Sequence, residues 1–245
     1  MRVLFVSASR ATRPPPPKSV SSFALLGHYG DIDYMKVLTR FVTSAAAPLQ
    51  FPPPGAPEIA FLGRSNVGKS SLINSLVGNK IAKTSNTPGR TQTINFFQVR
   101  RPGKPNPDFV FADLPGYGYA RAPKEVTAQW AQFVNPYLEN RESLVLCLSL
   151  VDVTIPPQEL DLQLMDWLRH MDRQFIVVAT KADRISNNQL RASLPKLCDQ
   201  LQILPSQIIP FSAKARVGYD ELWAAIKAAA GIEDPGTNDI SKAGT

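Results

Sequence analysis

Gly63, Arg64, Ser65, Asn66, Val67, Gly68, Lys69 and Ser70 are consecutive and spell G-x-x-x-x-G-K-S, a spacing suited to holding phosphate groups. The two glycines let the backbone turn tightly, so that successive N–H groups face inward as an anion site. Lys69 adds a mobile cation for the terminal phosphates of a nucleotide. The Ser70 hydroxyl is a hard oxygen of the kind magnesium takes. The apolar run Ile59–Leu62 reads as a strand before the loop, and Ser71–Val77 as a helix after it. A helix starting there turns its positive dipole end toward the anion. A glycine-rich turn that binds nothing is the competing reading, and the strand–loop–helix setting disfavours it.

Four further clusters carry related chemistry. Asp113, Leu114, Pro115 and Gly116 close the apolar run Phe109–Ala112. An aspartate at a strand end can hold magnesium through water, and the glycine frees an N–H for the terminal phosphate. Thr180, Lys181, Ala182 and Asp183 close the run Phe175–Ala179. The Asp183 carboxylate can accept from guanine's ring N–H and its exocyclic amine; adenine offers neither and leaves the carboxylate unpaired. Lys181 can lay its aliphatic stem over the base. Phe211, Ser212 and Ala213 end the run Gln207–Phe211, where backbone N–H groups suit the keto oxygen of guanine. The polar stretch Thr84–Thr93, with Pro88 and Gly89, breaks all periodicity. It fits a loop that orders around a terminal phosphate and its ion, with Thr91 as a second hydroxyl ligand for magnesium. Alone, each of these would pass for a surface turn or a flexible linker; their order gives them weight.

Together these stretches resemble the TRAFAC-class GTPases. GRSNVGKSSLIN, TSNTPGRTQTINFF, DLPGYGYA and TKAD narrow the resemblance to the EngB/YsxC family of bacterial ribosome-assembly GTPases, over about Thr39 to Gly231. The resemblance implies GTP binding and hydrolysis with Mg2+. It also implies a cytoplasmic role in maturing the large ribosomal subunit, with its ribosomal RNA, and a requirement in cell division and septation. Carried over by position, phosphate binding falls on Gly63 through Ser70. Switch contacts fall on Gly89, Arg90, Thr91, Gln92 and Thr93, and on Asp113 through Gly116. Guanine recognition falls on Thr180 through Asp183 and on Phe211 through Ala213. Magnesium falls on Ser70, Thr91 and Asp113.

Many switch GTPases orient the attacking water with a glutamine just after the D-x-x-G glycine. Here that position is Tyr117, which cannot do the same work. Turnover by the isolated protein is therefore expected to be slow, and Lys69, Thr91, Gly116 and Asn66 are the candidate catalytic residues. Two rescues are open. Asn66 matches the asparagine that positions potassium in related GTPases, where K+ offsets developing charge; alternatively it merely shapes the turn, which asparagine does well. The other rescue is a group supplied by the ribosomal particle.

The elements that position these residues follow from alternating strand and helix patterns. Thr93–Arg100 and Pro107–Ala112 flank a Pro/Gly loop and read as an antiparallel hairpin. Leu144–Val151 reads as a strand covered on both faces, with Cys147 packed as a small hydrophobe. Lys124–Leu138, with a kink or boundary at Pro136, and then Gln158–Met171, Leu190–Leu201 and Tyr219–Ala230 carry apolar residues at helical spacing. The result is an α/β, three-layer P-loop GTPase domain: a mostly parallel sheet of about six strands with one antiparallel hairpin.

The chain has 245 residues, enough for one domain plus an extension, and its 27 Lys+Arg against 20 Asp+Glu leave +7. Such a charge attracts polyanions, and Lys80, Lys83, Arg90, Arg100, Arg101 and Lys104 lie in or near the switch region, where solvated loop charge is the plainer reading. Cys147 and Cys198 make no disulfide framework, and His28 and His170 form no ligand pattern. The domain is read as 39–231, with a polar tail at 232–245. Residues 1–38 form an Arg- and Pro-rich extension that has no core to join. Met35 as the true start is preferred there to an organelle transit peptide. A monomer is expected, with no membrane association. The leading reading is a GTP-hydrolysing assembly factor; the rival is a nucleotide-gated RNA- or ribosome-binding module with negligible turnover. A P-loop kinase is disfavoured by the guanine-reading Thr180–Asp183.

Overall fold

The structure is a computed structural model, and residues 37–82, 93–118, 132 and 134–232 are described. The strands are β1 (Leu38–Ala45), β2 (Glu58–Gly63), β3 (Ile94–Arg100), β4 (Phe109–Asp113), β5 (Leu144–Asp152), β6 (Phe175–Thr180) and β7 (Ile208–Pro210). The helices are α1 (Lys69–Val77), α2 (helical at 134–140), α3 (Glu159–His170), α4 (Asn187–Leu201) and α5 (Tyr219–Ala229).

One seven-stranded sheet runs in the order β1-β3-β4-β2-β5-β6-β7. The five strands from β4 to β7 are parallel, while β3 pairs antiparallel with both β4 and β1. Apolar side chains leave both faces of the central strands, and every residue of β2 is buried. One face is covered by α2, α3 and α4 and the other by α1 and α5, giving three layers. Cys147 sits in the first of these cores, where burial pushes its thiol up to about 12.

The sheet has one strand more than the sequence pattern predicts. β1 is the addition, lying upstream of the linker at Pro52–Gly55. It is mostly exposed on both faces, so its residues carry no buried–exposed alternation to read. What holds it is pairing with β3 and the edge-to-face contact of Phe41 with Phe97 at 5.7 Å. Two helix ends also differ. α4 starts at Asn187 rather than Leu190, because Ser186 and Gln189 form a reciprocal capping box. The helical segment containing Pro136 continues past Leu138 to 140. There Arg173 donates to the carbonyls of Leu138 at 2.6 Å and Glu139 at 2.7 Å, satisfying the helix's last acceptors. The rest of Lys124–Leu138 lies mainly outside the described residues, as do residues 1–36 of the extension 1–38, with its Met35 reading, and residues 233–245 of the tail 232–245.

The N-terminal end of the sheet is pinned by a buried ion pair. Arg141 Nη2 donates to Glu58 Oε1 at 2.5 Å and to the Pro52 carbonyl at 2.8 Å, and Tyr137 donates to Glu58 Oε2 at 2.9 Å. This fixes the entry into β2, whose other end delivers the phosphate loop.

Candidate nucleotide site

The carboxyl ends of β2, β4, β5, β6 and β7 lie side by side, and the clusters Gly63–Ser70, Asp113–Gly116, Thr180–Asp183 and Phe211–Ala213 stand at four of them; the stretch Thr84–Thr93 instead precedes β3 in the chain. In an open α/β sheet that is where ligands bind. Gly63 through Gly68 form the loop from β2 to α1; Lys69 and Ser70 open the helix. Asn66 has φ 63° and Gly68 φ 111°, the left-handed turns that fold the loop back over the helix start.

The D-x-x-G segment is laced to this loop. Leu114 N–H donates to Phe61 O at 3.2 Å, Tyr117 N–H to Gly63 O at 3.3 Å, and Ser65 N–H to Tyr117 O at 3.0 Å. Gly116 is required by close approach: a Cβ there would stand 3.0 Å from Ser65 Oγ and 3.1 Å from Ser65 N. Asp113 forms an ion pair with Lys69 at the mouth of the loop.

The clusters Thr180–Asp183 and Phe211–Ala213 are joined to the phosphate loop and to each other. The buried Thr180 hydroxyl lies 2.6 Å from Val67 O and 3.0 Å from Val151 O. Ala182 N–H donates to Phe211 O at 3.1 Å, and Phe211 N–H to Ala179 O at 2.8 Å. Ser212 Oγ donates to Asp183 Oδ1 at 2.6 Å, and that hydrogen bond holds the Asp183 carboxyl below the usual aspartate range. Asp183 is exposed, so the carboxylate is ionised and aimed without being desolvated. Lys181 takes a left-handed backbone and spends its ammonium on Asp152 Oδ2 at 2.5 Å. Burial raises the Asp152 carboxyl, but Lys181 and Thr154 more than offset it and keep it low.

The position after the D-x-x-G glycine is locked. Tyr117 is buried and its hydroxyl donates to Asp161 Oδ1 at 3.0 Å, while Asp161 Oδ2 accepts from the Gln158 N–H at 2.8 Å as the N-terminal cap of α3. Burial and then the Asp161 carboxylate push the Tyr117 phenol well above its ordinary value, so it stays un-ionised near neutrality. Asp152 and Asp161 were not named from the sequence: their local bonds to Thr154 and Gln158 mark a turn and a helix cap, and what brings them to the site is their distant partners Lys181 and Tyr117. A cavity of about 210 Å³ beside the loop is walled by Arg64, Asn66, Asp152, Asp161 and Lys181.

Of the candidates named from the sequence, Gly63 through Ser70, Thr93, Asp113 through Gly116, Thr180 through Asp183 and Phe211 through Ala213 are among the described residues, whereas Gly89, Arg90, Thr91 and Gln92 lie outside them. Of the basic residues near the switch, Arg101 is paired with Asp108 at 2.7 Å.

The family model described as "50S ribosome-binding GTPase" matches residues 58–181. A protein of Koribacter versatilis named probable GTP-binding protein EngB is 64% identical over 203 residues, covering 83% of this chain and 99% of that protein. The chain belongs to the EngB family of GTP-binding proteins. The EngB protein of Acidobacterium capsulatum is 52% identical, over 78% of this chain and 90% of its own. A crystal structure of a probable GTP-binding protein EngB superposes with a TM-score of 0.57 at 26% identity, covering 71% of this chain and 98% of that one. GTP is the substrate that this family implies. Among the described residues, no helix is long and apolar enough to cross a membrane.

Proposed function

We propose that this EngB protein binds GTP across the five strand ends, hydrolyses it slowly when alone, and acts as an assembly factor on the large ribosomal subunit in the cytoplasm. One observation carries the nucleotide reading: Thr180 ties the base-reading turn to the phosphate loop within 2.6 Å, so one ligand can engage Lys69 and Asp183 at once. In this reading the N–H groups of Gly63 through Ser70 hold the phosphates, and Gly116 N–H meets the terminal one. Asp183 and the amides around Ser212 and Ala213 hold guanine, and the switch residues Gly89 through Thr93 close over the terminal phosphate.

The donor set fits magnesium. Ser70 and Asp113 are hard oxygen ligands at adjoining strand and helix ends, and Mg2+ takes one or two protein oxygens together with substrate phosphates. Ser70, Asp113 and Thr91 would hold it, and it would neutralise charge on the phosphate oxygens. Lys69 then leaves Asp113 for the phosphates. Slow turnover follows from Tyr117, whose hydroxyl is bound by Asp161 and so orients no water. The left-handed backbone at Asn66 accounts for an asparagine there without an ion. Turnover in potassium and sodium buffers separates the two roles: equal rates remove potassium from the account.

The ribosomal part draws its support from the description of the matched family, and from the net charge of +7, which favours an RNA-rich partner. A role in cell division and septation rests on the family resemblance alone. Co-sedimentation with purified large subunits, in GDP and in a non-hydrolysable GTP analogue, tests the ribosomal role. Nucleotide-dependent binding with stimulated hydrolysis is expected. Binding without stimulation favours a nucleotide-gated binding module, the reading that the locked Tyr117 also permits. No binding in either nucleotide rejects the ribosomal role.

A further inference from the structure

Ser65 carries a hydroxyl oxygen that is shut off from solvent and meets no hydrogen-bond partner among the described residues. A buried hydroxyl in that state has given up water and gained nothing in return. Other polar groups of the site are committed elsewhere. Lys69 is paired with Asp113, the Thr180 hydroxyl with the Val67 and Val151 carbonyls, and the Tyr117 hydroxyl with Asp161. The Ser65 N–H itself is bound to Tyr117 O. Arg64 Nε is also without a partner, but it stands beside Gly118, where a Cβ would be 3.3 Å away. Ser65 Oγ instead lies against Gly116, within 3.0 Å of where a Cβ would be. It therefore sits at the seam between the phosphate loop and the D-x-x-G turn. Those are the two segments that flank the terminal phosphoryl group when GTP occupies the site, and Gly116 places no side chain between.

We propose that Ser65 is a further catalytic residue, whose Oγ–H donates a hydrogen bond to an oxygen of the terminal phosphoryl group of GTP. The proposal rests on the reading of this site as a GTPase centre and adds one donor to it. The hydroxyl can rotate to whichever acceptor arrives. The terminal phosphoryl oxygens share the transition-state charge, so a donor already fixed in a dry seam acts most strongly there. GDP has no such oxygen, so the bond belongs to the GTP state alone. Ser65 forms no covalent bond and takes up no proton. A buried hydroxyl that only a ligand pairs costs stability until that ligand binds, the exchange expected where a site is built for a ligand rather than for the fold.

Ser65→Ala tests this in the full chain, by single-turnover GTP hydrolysis, GDP affinity and the melting temperature without nucleotide. The hydrolysis step is expected to slow by about tenfold to a hundredfold, somewhat less than the loss of a rigid oxyanion donor. GDP affinity should stay within about twofold of the starting protein, and the melting temperature should rise by about 2–4 °C, as removal of an unsatisfied buried group implies. Hydrolysis at the unaltered rate overturns the proposal. So does a fall in melting temperature together with GDP affinity, which would make the hydroxyl a structural tie. Should alanine distort the loop, Ser65→Cys keeps the shape with a weaker donor. Slowed hydrolysis at normal GDP affinity then supports the role, and normal hydrolysis, or loss of GDP binding in both variants, rejects it. No hydrolysis by the unaltered protein in any condition would reject the GTPase reading itself.

Discussion

Thr180→Val removes a hydroxyl that links the turn Thr180–Asp183 to the phosphate loop while keeping almost the same shape. The hydroxyl has a single hydrogen, so the contacts of 2.6 Å to Val67 O and 3.0 Å to Val151 O count as one shared bond, with Val67 the stronger partner. Thr180 is 3% exposed, so water cannot replace what is lost. A net hydrogen bond is worth about 0.5–1.5 kcal/mol, and an orphaned buried carbonyl costs about 1–3 kcal/mol. The expected destabilisation is about 1–3 kcal/mol, a fall in melting temperature of about 3–8 °C for a domain of this size. The loop tie also aligns the two halves of the nucleotide site, so GDP affinity should fall about tenfold, equivalent to about 1.4 kcal/mol. Thr180→Ser is the control. It loses a buried methyl, worth about 0.8 kcal/mol, but keeps the hydroxyl, so it should lose some stability and retain GDP affinity. Thermal unfolding and isothermal titration with GDP read both quantities. Normal GDP affinity in Thr180→Val, or equal loss in both variants, would refute the coupling.

Arg141→Ala leaves Glu58, which is 2% exposed, without its cationic partner. This should cost about 3–5 kcal/mol in urea unfolding yet spare GDP affinity, because the pair lies at the opposite end of β2 from the phosphate loop; a change under about 1 kcal/mol counts against the burial argument. Gly218 has φ 71°, and a Cβ there would fall 1.9 Å from Pro210 O. Gly218→Ala should therefore cost at least about 2 kcal/mol and, if the Ser212 turn holds guanine as proposed, weaken GDP binding, since Val217 bridges to Ser212; normal binding and stability would show that the backbone adapts. Burial raises the Asp161 carboxyl above its ordinary 3.8, and bonds from Gln158 and Tyr117 offset this only partly. The folded state thus keeps a proton that the unfolded chain has released. The associated stability is complete below the ordinary aspartate value and is lost as pH rises through the raised folded one. Asp161→Asn cannot ionise, so its melting temperature should gain on the unaltered protein across that window and then level off. A constant difference across pH would contradict the shift.

The strand–loop–helix of Gly63 through Val77 was legible because its signal is local: fixed spacing between an apolar strand and an apolar-striped helix. The same holds for β4, β5 and β6, whose continuous apolar runs announce burial on both faces. β1 was not legible, since an exposed edge strand is held by pairing with β3 rather than by a buried face of its own. The start of α4 could have been read from Ser186 and Gln189, a capping box three residues apart. The site was legible in its residue types and not in its couplings. Thr180 to Val67 spans 113 residues, Arg141 to Glu58 spans 83 and Tyr117 to Asp161 spans 44, and no periodicity links such pairs. Tyr117 illustrates the difference: the sequence shows that the glutamine is missing, whereas the structure shows where the tyrosine hydroxyl goes instead. Lys181 gave a stem to lay over a base, but its ammonium partner Asp152 emerges only from the adjacency of β5 and β6.

The central claim is that one guanine nucleotide bridges Lys69 and Asp183. Calorimetric titration of the full chain with GDP, GTP analogue, ADP and ATP analogue, each with magnesium, tests it most directly. The account predicts a single site for either guanine nucleotide and no measurable heat with either adenine nucleotide. It also predicts that Asp183→Asn weakens guanine binding while Lys69→Ala removes it. Equal binding of adenine and guanine nucleotides, or no heat with any of them, would contradict it.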